Sequence, residues 1–489
     1  MAQKVGEGPY RQLIGGAFVD GSDGSYAIVN PATEQVVAEA PQASVADVAA
    51  AAAAAKAAQP AWAALKSAKR AALLGKVAKR MYAEMADFVP LIIAETGATL
   101  RVGSQMQAPA CAARFGYYAD AGRSTLDEPL LPQAMPDTPL APGGLISSVV
   151  HRAPVGVVAA ISSYNFPITN MAGKVAPALA AGNAVVVKPA PQDPLSCLEV
   201  LRICHEEGIP DGVVNIVTGS SAATGEALVS SPDVDMVSFT GSSGVGVAIQ
   251  TECAKTMKRS LMELGGKGAA LVLADADVTK AVTALASVWG FHSGQICTAP
   301  TRAIVHRSRV DELVAGLRAA ATHMTVGDPL DKSTMVGPVI SDAHRGRVEA
   351  LLASSVEAGA EVLLGAERPD IASGFYVAPT LLSADNANPG AREEFFAPVI
   401  VLIPFDDVEE GIAMANDSPY GLYDYVFTEN AYEGYRIAQR LEAGNVGLNT
   451  AQRNMEAPFG GFKMSGTGRD GGVFGLHAYT EMQTIVWSA

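Results

Sequence analysis

Short apolar runs alternate with stretches of helical pattern over a long segment that begins near residue 151. The strand-like runs are APVGVVAAISS, NAVVVKP, GVVNIVTG and DMVSFTG, and the helical stretches include 167–181, 196–207 and 246–254. Parallel strands need a long crossover connection, usually a helix, whereas antiparallel strands can be joined by a tight turn. This alternation therefore predicts an α/β fold with a parallel, Rossmann-like sheet of the nucleotide-binding type.

A second alternating region starts near Leu261. Its strand-like runs are AALVLAD, TRAIVH, PVIVLIPF, YDYVFT and NVGLN. Two sheets of this kind in one chain normally meet at a cleft, and ligands bind at the carboxyl ends of such strands. Ahead of the first sheet, residues 126–147 contain five prolines and few helix signals. That stretch indicates an extended arm.

The balance of charge limits the partners that the chain can bind. Lys and Arg number 35 against 50 Asp and Glu, for a formal net charge of −15. An acidic surface repels the phosphate backbone of nucleic acids. No apolar run approaches the ~20 residues of a membrane span, and the first residues lack the apolar core of a signal peptide. We therefore expect a cytoplasmic protein with no nucleic-acid or membrane partner.

The cysteines do not form a pattern that indicates disulfides or a metal site. They are odd in number, widely spaced, and without a CxxC pair or a histidine at ligand spacing: Cys111, Cys197, Cys204, Cys253 and Cys297. Small disulfide-rich domains and zinc sites show closer, paired spacings. Cys197 and Cys204 lie seven residues apart in one predicted helix, which is typical of core packing. We expect no bound metal.

Three polar residues near predicted strand ends are candidates for chemistry. Cys297 lies in the loop GFHSGQICTAPTR, Glu263 precedes two glycines in MELGGKG, and Asn165 follows a strand in ISSYNFP. A loop thiolate can be a nucleophile, a buried carboxylate a general base, and an amide a donor to an oxyanion. Taken singly, each has an ordinary alternative: an inert thiol, a solvated or salt-bridged carboxylate, and a helix cap.

A glycine-containing turn, FTGSSGVG at residues 239–246, joins a predicted strand to a predicted helix. It places Gly241 and Ser242 beside the N–H groups of a helix N-terminus, where a pyrophosphate can bind. The turn differs from the common GxGxxG pattern, so its spacing alone does not define a dinucleotide site.

Seven segments together resemble, in their order along the chain, the aldehyde dehydrogenase superfamily. They are ISSYNFP, GNAVVVKPAPQDP, FTGSSGVG, MELGGKGAALVLADAD, GQICTAPTR, EEFFAPV and APFGGFKMSGTGRDGG. The resemblance implies the aldehyde dehydrogenase fold, with a Rossmann-like cofactor domain, an α/β catalytic domain and a small β oligomerisation arm. The limits we expect are 1–128 and 151–262 for the cofactor domain, 263–450 for the catalytic domain, and 129–150 and 471–489 for the arm and C-terminal tail.

The resemblance also assigns roles to residues of the candidate site. Cys297 corresponds to the nucleophile, Glu263 to the base that activates water, and Asn165 to the oxyanion donor. Lys174 corresponds to a lysine that helps to orient the site. The implied reaction is oxidation of an aldehyde to a carboxylic acid through a thioester on Cys297.

The implied cofactor is NAD or NADP. By resemblance, Lys188 and Glu394 contact the ribose hydroxyls, Gly241 and Ser242 lie at the pyrophosphate, and Phe396 packs near the nicotinamide.

Two departures from the common family pattern bear on specificity. Pro191 stands three residues after Lys188, where many NAD-preferring members have glutamate, so we expect NAD to be used and NADP to be accepted. Gly173 replaces a bulky residue of members that act on small aliphatic aldehydes. This change widens the expected substrate pocket, for which Phe291 and Phe459 are further candidates, and favours an aromatic aldehyde of the benzaldehyde or salicylaldehyde kind.

Two other functions fit the same resemblance. A CoA-acylating semialdehyde dehydrogenase would release the acyl group to CoA instead of water, but such relatives generally lack the base at Glu263. A catalytically silent structural or binding protein would not need an intact set of Cys297, Glu263 and Asn165. The expected partner is a small-molecule aldehyde, and the expected assembly is a homodimer or a homotetramer.

Overall fold

Four β-sheets organise the part of the chain that the computed structural model describes, residues 8–123 and 127–488. The strands of this part are, in chain order, β1 (Gln12–Ile14), β2 (Ala17–Val19), β3 (Ser25–Val29), β4 (Val36–Pro41), β5 (Glu128–Met135), β6 (Gly144–Pro154), β7 (Val157–Ile161), β8 (Ala184–Lys188), β9 (Val214–Ile216), β10 (Met236–Thr240), β11 (Arg259–Glu263), β12 (Ala269–Val272), β13 (Arg302–His306), β14 (Glu361–Leu364), β15 (Thr380–Ser383), β16 (Val399–Phe405), β17 (Tyr423–Phe427), β18 (Asn445–Leu448), β19 (Gly466–Thr467) and β20 (Thr480–Ser488).

The helices pack around these sheets. The α-helices of the same residues are α1 (Val45–Ala63), α2 (Ser67–Ala83), α3 (Met85–Thr96), α4 (Leu100–Val102), α5 (Ala108–Ala121), α6 (Pro167–Ala181), α7 (Leu195–Glu206), α8 (Ala222–Ser230), α9 (Ser243–Ala254), α10 (Val278–Trp289), α11 (Val310–Ala321), α12 (Asp342–Glu357), α13 (Pro389–Arg392), α14 (Val408–Asn416), α15 (Ala431–Ala438) and α16 (Gly472–Ala478). Short 3₁₀ or π segments lie at Gly103–Gln107, Phe291–Gly294, Arg307–Arg309 and Lys463–Ser465.

Helix starts follow residues that favour them. The Ser44 side chain accepts from the Asp47 N–H, and the Asp47 carboxylate accepts from the Ser44 N–H, which forms a capping box at α1. The helix α6 begins at Pro167 and has the predicted bounds. The helix α9 begins at Ser243, three residues before its predicted start, because Ser242 has extended backbone (φ −73°, ψ 149°) and is the N-cap.

The first large sheet has the strand order β19-β11-β10-β7-β8-β9-β1-β2. Its five central strands, β11 to β9, run parallel, and the outer strands β19, β1 and β2 are antiparallel to their neighbours. Both faces are buried: Val185 and Val187 of β8 belong to one core cluster, and Ala184 and Val186 belong to another. This alternation is that of a strand with helices on both sides of the sheet. The predicted parallel, Rossmann-like sheet is confirmed.

The second large sheet has the order β14-β15-β16-β13-β12-β17-β18. All its neighbouring strands are parallel except the pair of β14 and β15. Helices cover both faces, and a separate apolar core lies on each. The two sheets together confirm the α/β fold class.

The predicted extended arm forms a third, antiparallel sheet in which β6 lies between β5 and β20. Large apolar side chains are exposed on the arm, including Leu131, Met482 and Val486. Residue 126 of the arm lies outside the described residues, as do 1–7, 124, 125 and 489. The domain limits given above remain predictions.

The described helices include none that is both long enough and apolar enough to cross a bilayer.

Candidate active site

The candidate residues of the first sheet lie where parallel strands end. Glu263 is the last residue of β11, Lys188 is the last residue of β8, and Asn165 follows β7 after a short loop. The strands β11, β10, β7 and β8 are neighbours, so their carboxyl ends share one edge of the sheet. Cys297 comes from the other large domain, in the loop that precedes β13. One cleft therefore brings together residues far apart in sequence.

The Asn165 amide connects the two sides of this cleft. Its Nδ2 donates to the carbonyl oxygen of Gln295, two residues before Cys297, at 3.0 Å. Its Oδ1 accepts from Ser163 Oγ at 2.8 Å and from Asn170 Nδ2 at 3.1 Å. These contacts fix the amide orientation and leave one of its two N–H groups for another acceptor. The N-cap of α6 is Phe166, so Asn165 is not a helix cap.

The Cys297 loop has an unusual backbone conformation. His292 and Ser293 have φ of 47° and 56°, in the left-handed region that most residues avoid. Gly294, with φ of 69°, lies so close to the Ala397 carbonyl that a Cβ would stand 2.3 Å from its oxygen. Gly266, in the glycine run after Glu263, similarly leaves room for the Cys297 carbonyl, 2.4 Å from where a Cβ would lie. The glycines thus let this loop approach the first sheet.

The Cys297 side chain is half-buried, and burial raises the pKa of its thiol to about 12. The charge of Arg453 opposes that rise in pKa. The other cysteines, at positions 111, 197, 204 and 253, are buried free thiols. Core packing at Cys197 and Cys204 is thereby confirmed, and Cys297 is the most accessible of the five.

The Glu263 carboxyl group is buried and unpaired. It is 5% exposed, and neither of its oxygens has a hydrogen-bond partner among the described residues. Burial raises its pKa well above the usual range, the carboxylate of Asp470 adds to the rise, and Lys174 opposes it. A solvated carboxylate would be exposed, and a salt-bridged one would have a partner, so Glu263 fits neither description. A buried carboxylate of raised pKa is a stronger base than an exposed one.

Lys174 lies on α6 with its side chain buried. Its Nζ donates to Ser238 Oγ at 3.1 Å, and that hydroxyl is hydrogen-bonded to Tyr479 Oη at 2.9 Å. Burial lowers the pKa of Lys174, while the charges of Asp470 and Glu263 oppose the change. The charge of Lys174 therefore opposes the rise in the pKa of Glu263.

The residues assigned to the ribose hydroxyls, the buried Lys188 and the half-buried Glu394, have unused bonding capacity. Lys188 Nζ donates to the Pro189 carbonyl at 3.2 Å, and burial lowers its pKa to about 8. Glu394 accepts from the Gly266 N–H at 2.9 Å, and burial raises its pKa to about 7. Buried charged groups normally have partners, so both residues fit a ligand that offers hydroxyl groups.

The turn at the start of α9 is also open to a ligand. Ser242 caps the helix with its backbone only, since its side chain makes no capping hydrogen bond, and the first turn carries no acidic residue. The helix N-terminus therefore offers free N–H groups and a positive dipole end. Gly241 follows Phe239 so closely that a Cβ would lie 2.4 Å from its ring. These features fit the pyrophosphate of a dinucleotide.

Phe396 and Pro191 are the two remaining cofactor candidates. Phe396 has φ of 52° and packs edge-to-face on Tyr164, with 5.8 Å between ring centroids. Its carbonyl is hydrogen-bonded to His344 Nε2 at 2.8 Å. Pro191 is half-buried, and Asp193, two residues on, is completely buried.

Arg114, which the sequence interpretation did not include, lies against Gly173, one of the predicted substrate residues. A Cβ on Gly173 would lie 1.8 Å from Nη1 of Arg114, on α5. The space next to Gly173 is therefore occupied by a guanidinium group. Phe459 packs at the border of the same core cluster as Cys297, whereas Phe291 packs against the core of the first sheet.

Sequence interpretation also did not single out Arg453, Arg469 and Asp470. Asp470 and Arg469 influence the pKa of Glu263, and Arg453 influences those of Glu263 and Cys297. The motif APFGGFKMSGTGRDGG contains both Arg469 and Asp470. Because these charged residues stand among the glycines of this motif, the sequence offered a signal that they belong to the site.

The site thus combines a half-buried thiol, an oriented amide and a buried carboxylate without a hydrogen-bond partner among the described residues. The sequence profile of the aldehyde dehydrogenase family matches residues 18–485. A phenylacetaldehyde dehydrogenase of Pseudomonas fluorescens is 36% identical over 491 residues, which cover 98% of this chain and 96% of the relative. A 2-hydroxymuconic semialdehyde dehydrogenase of Pseudomonas sp. strain CF600 is 38% identical, with 97% and 98% covered.

A solved structure shows the same architecture. Betaine aldehyde dehydrogenase from Staphylococcus aureus, in complex with NAD+, superposes with a TM-score of 0.93 at 30% identity, covering 98% of this chain and 95% of the other. The chain therefore belongs to the aldehyde dehydrogenase family. It is an NAD(P)-dependent enzyme that oxidises an aldehyde to a carboxylic acid.

Proposed function

We propose that this enzyme oxidises aromatic aldehydes to the free acids through a thioester on Cys297, which water activated by Glu263 hydrolyses. The observation that carries the proposal is the buried, unpaired Glu263 carboxylate on the same cleft as the thiol. Bound NAD(P) supplies the nicotinamide that accepts a hydride. Release of acid without CoA, followed by NADH absorbance and product analysis with benzaldehyde, tests this proposal.

In the proposed reaction, the Cys297 thiol loses its proton to solvent, its sulfur forms a C–S bond with the aldehyde carbon, and the carbonyl oxygen becomes an oxyanion. The free N–H of the Asn165 amide and the backbone N–H of Cys297 stabilise that charge. Collapse of this adduct restores the C=O bond and leaves a thioester on Cys297, and the bound nicotinamide would accept the hydride that the carbon loses. The fixed orientation of Asn165 supports this role, because a donor held in place needs no reorganisation as charge develops.

Hydrolysis then regenerates the thiolate. Glu263 accepts a proton from water, the water oxygen attacks the thioester carbon, and the C–S bond breaks to release the acid. Lys174, through its charge, limits how far the pKa of Glu263 rises. CoA acylation is not favoured, because a water-activating base at this position has no use when CoA is the acceptor.

The phenylacetaldehyde dehydrogenase relative supports aromatic substrates. Gly173→Trp is expected to lower kcat/KM for benzaldehyde at least ten-fold more than for acetaldehyde, because the indole and the Arg114 side chain that it displaces together narrow the room for a ring. The matched control is Gly173→Ala, which also displaces the end of the Arg114 side chain but leaves most of that space. Equal losses for both aldehydes in the Trp variant contradict an aromatic pocket.

We further propose that NAD is used and NADP accepted. A glutamate at position 191 would accept a hydrogen bond from the adenosine ribose and repel a 2′-phosphate. Proline does neither. Glu394 and Lys188 bind ribose hydroxyls in this proposal, and the N-terminus of α9 binds the pyrophosphate.

Pro191→Glu is expected to shift the NAD-to-NADP ratio of kcat/KM by roughly 10- to 150-fold toward NAD. This range corresponds to one charged hydrogen bond, about 1.5 to 3 kcal/mol. Steady-state kinetics with both cofactors measure the shift, and Pro191→Gln controls for the loss of the proline ring. A wild-type enzyme that rejects NADP by more than about 10⁴-fold would assign the discrimination to another residue.

The exposed apolar side chains of the arm support assembly into a homodimer or homotetramer, which is general in this family. Mass photometry or light scattering of the purified chain measures the state. The five free thiols support a cytoplasmic location, since reducing compartments keep thiols unpaired.

A further inference from the structure

We propose that the aldehyde substrate carries a carboxylate, which Arg114 and Arg453 bind on the approach to Cys297. This inference rests on the proposed function and narrows its substrate class to aldehydes that are also acids. The residues that carry it form a group that we call the entrance cluster, comprising Arg114, Gly173, Arg453, Phe459 and Asp470.

The Arg114 guanidinium has unused hydrogen-bond donors. Its side chain is 23% exposed, and its Nε is buried without a partner. Its ion pair within the described residues is with Asp470 at 3.7 Å, which is longer than a hydrogen bond. Guanidinium has five N–H donors, and buried polar groups in proteins are nearly always hydrogen-bonded. Arg114 therefore has donors available for an acceptor on a ligand.

The position of Arg114 relates it to the reacting atoms. Asn170 of α6 donates to Asn165, the proposed oxyanion donor. Gly173 lies three residues further along α6, on the same face and about one turn, ~5.4 Å, away. Arg114 lies directly against Gly173. The guanidinium thus stands about one helical turn from Asn170, the residue that holds the Asn165 amide in place.

Arg453 is the second arginine of the entrance cluster. It is exposed, and its guanidinium lies over the Phe459 ring, 4.0 Å from the centroid. Within residues 8–123 and 127–488, no carboxylate oxygen lies within 4.0 Å of its guanidinium nitrogens. Its charge lowers the pKa of Cys297, which places it within electrostatic range of the nucleophile.

A backbone bridge brings the two arginines toward one place. Phe459 and Asp470 exchange both backbone hydrogen bonds, with N···O distances of 2.7 and 2.6 Å. In such an antiparallel pair the two side chains project to the same side of the backbone. The Arg453 guanidinium lies over the Phe459 ring, and the Arg114 guanidinium faces the Asp470 carboxylate. The two guanidinium groups therefore approach the same region.

The chemistry of these groups favours a carboxylate. Guanidinium binds carboxylate through two parallel hydrogen bonds, with both charge and planar geometry matched. The whole chain has a net charge of −15 and would otherwise repel an anionic substrate. Within the cluster, Asp470 offsets one of the two arginine charges, so a net positive charge remains for a substrate carboxylate.

Matched pairs of aldehydes test this proposal. The pairs are benzaldehyde with 4-formylbenzoate and hexanal with 6-oxohexanoate, whose members differ by one carboxylate. We expect the wild-type enzyme to prefer the acid of at least one pair by ten-fold or more in kcat/KM. Arg114→Leu and Arg453→Leu are each expected to reduce that preference about 10- to 150-fold, the range of one charged hydrogen bond.

The ratio within a pair cancels any change that a variant causes at Glu263 or Cys297. Turnover of the neutral aldehyde shows that each variant is folded and active. Arg453→Lys is expected to keep part of the preference, because the charge remains while the planar fork is lost. Arg307→Leu is the control, since Arg307 pairs with Asp406 on the surface, at the end of β13 opposite to Cys297.

The outcomes separate this inference from the proposed function. If the wild type oxidises neutral and acidic members equally, or both leucine variants keep the wild-type ratio, the carboxylate site is overturned while the aldehyde dehydrogenase activity stands. If only one leucine variant changes the ratio of kcat/KM between the acidic and the neutral aldehyde, the other arginine does not bind the carboxylate. If no aldehyde of the panel yields a free acid, the proposed function itself is overturned.

Discussion

Cys297→Ala is expected to abolish aldehyde oxidation while leaving NAD binding nearly unchanged. Without the sulfur no covalent adduct forms, and the hydride has no tetrahedral carbon from which to depart. The proposed cofactor residues lie at the ends of first-sheet strands, in the loops that follow them, and at Glu394 and Phe396, and no hydrogen bond joins any of them to the thiol in the described structure. Steady-state NADH formation measures the activity, and titration calorimetry with NAD measures binding.

Cys204→Ala is the matched control for this experiment. Cys204 is fully buried in α7, so its replacement is expected to cost about 1 to 3 kcal/mol of unfolding free energy with little change in turnover. Wild-type turnover in the Cys297 variant would eliminate Cys297 as the nucleophile. Loss of activity in both variants, with both folded, would mean that thiol chemistry is not confined to Cys297.

Glu263→Gln is expected to release one equivalent of NADH rapidly and then turn over slowly. Hydride transfer precedes water activation, so the thioester forms normally and accumulates. Loss of a general base typically lowers the rate by about 10²- to 10⁴-fold. Rapid-mixing absorbance at the NADH band measures the burst, and mass spectrometry of the quenched enzyme detects the acyl group.

The pH dependence of hydrolysis adds an independent readout. Because burial raises the pKa of Glu263, the base form increases as pH rises through that pKa, and the hydrolysis rate is expected to rise with it. The Gln variant is expected to lose this limb of the profile. An unchanged steady state with no burst would remove Glu263 from the hydrolytic step.

The sequence predicts the main features of the fold because they depend on local pattern. Alternation of apolar runs and helices specifies two parallel sheets, and proline and glycine at Pro167 and Gly182 mark the ends of α6. Ser242 shows the limit of this reasoning. The predicted helix began at Gly246, since sequence alone did not reveal that an extended serine would cap it three residues earlier.

The entrance cluster shows what the sequence could not predict. Gly173 was interpreted as open space because a side chain is missing there, yet the end of the Arg114 side chain fills that space. Arg114, Gly173 and Arg453 come from three elements separated by many residues. Their proximity results from tertiary packing, which local periodicity and motif spacing do not encode.

Tyr479 connects the arm to the interior of the enzyme. It directly precedes β20, and its hydroxyl meets the Ser238 hydroxyl that holds Lys174. During synthesis, every other described strand leaves the ribosome before β20. A nascent chain can therefore complete both large sheets before the Tyr479 hydroxyl reaches Ser238. The hydrogen bonds around Lys174 are complete only when β20 pairs with β6.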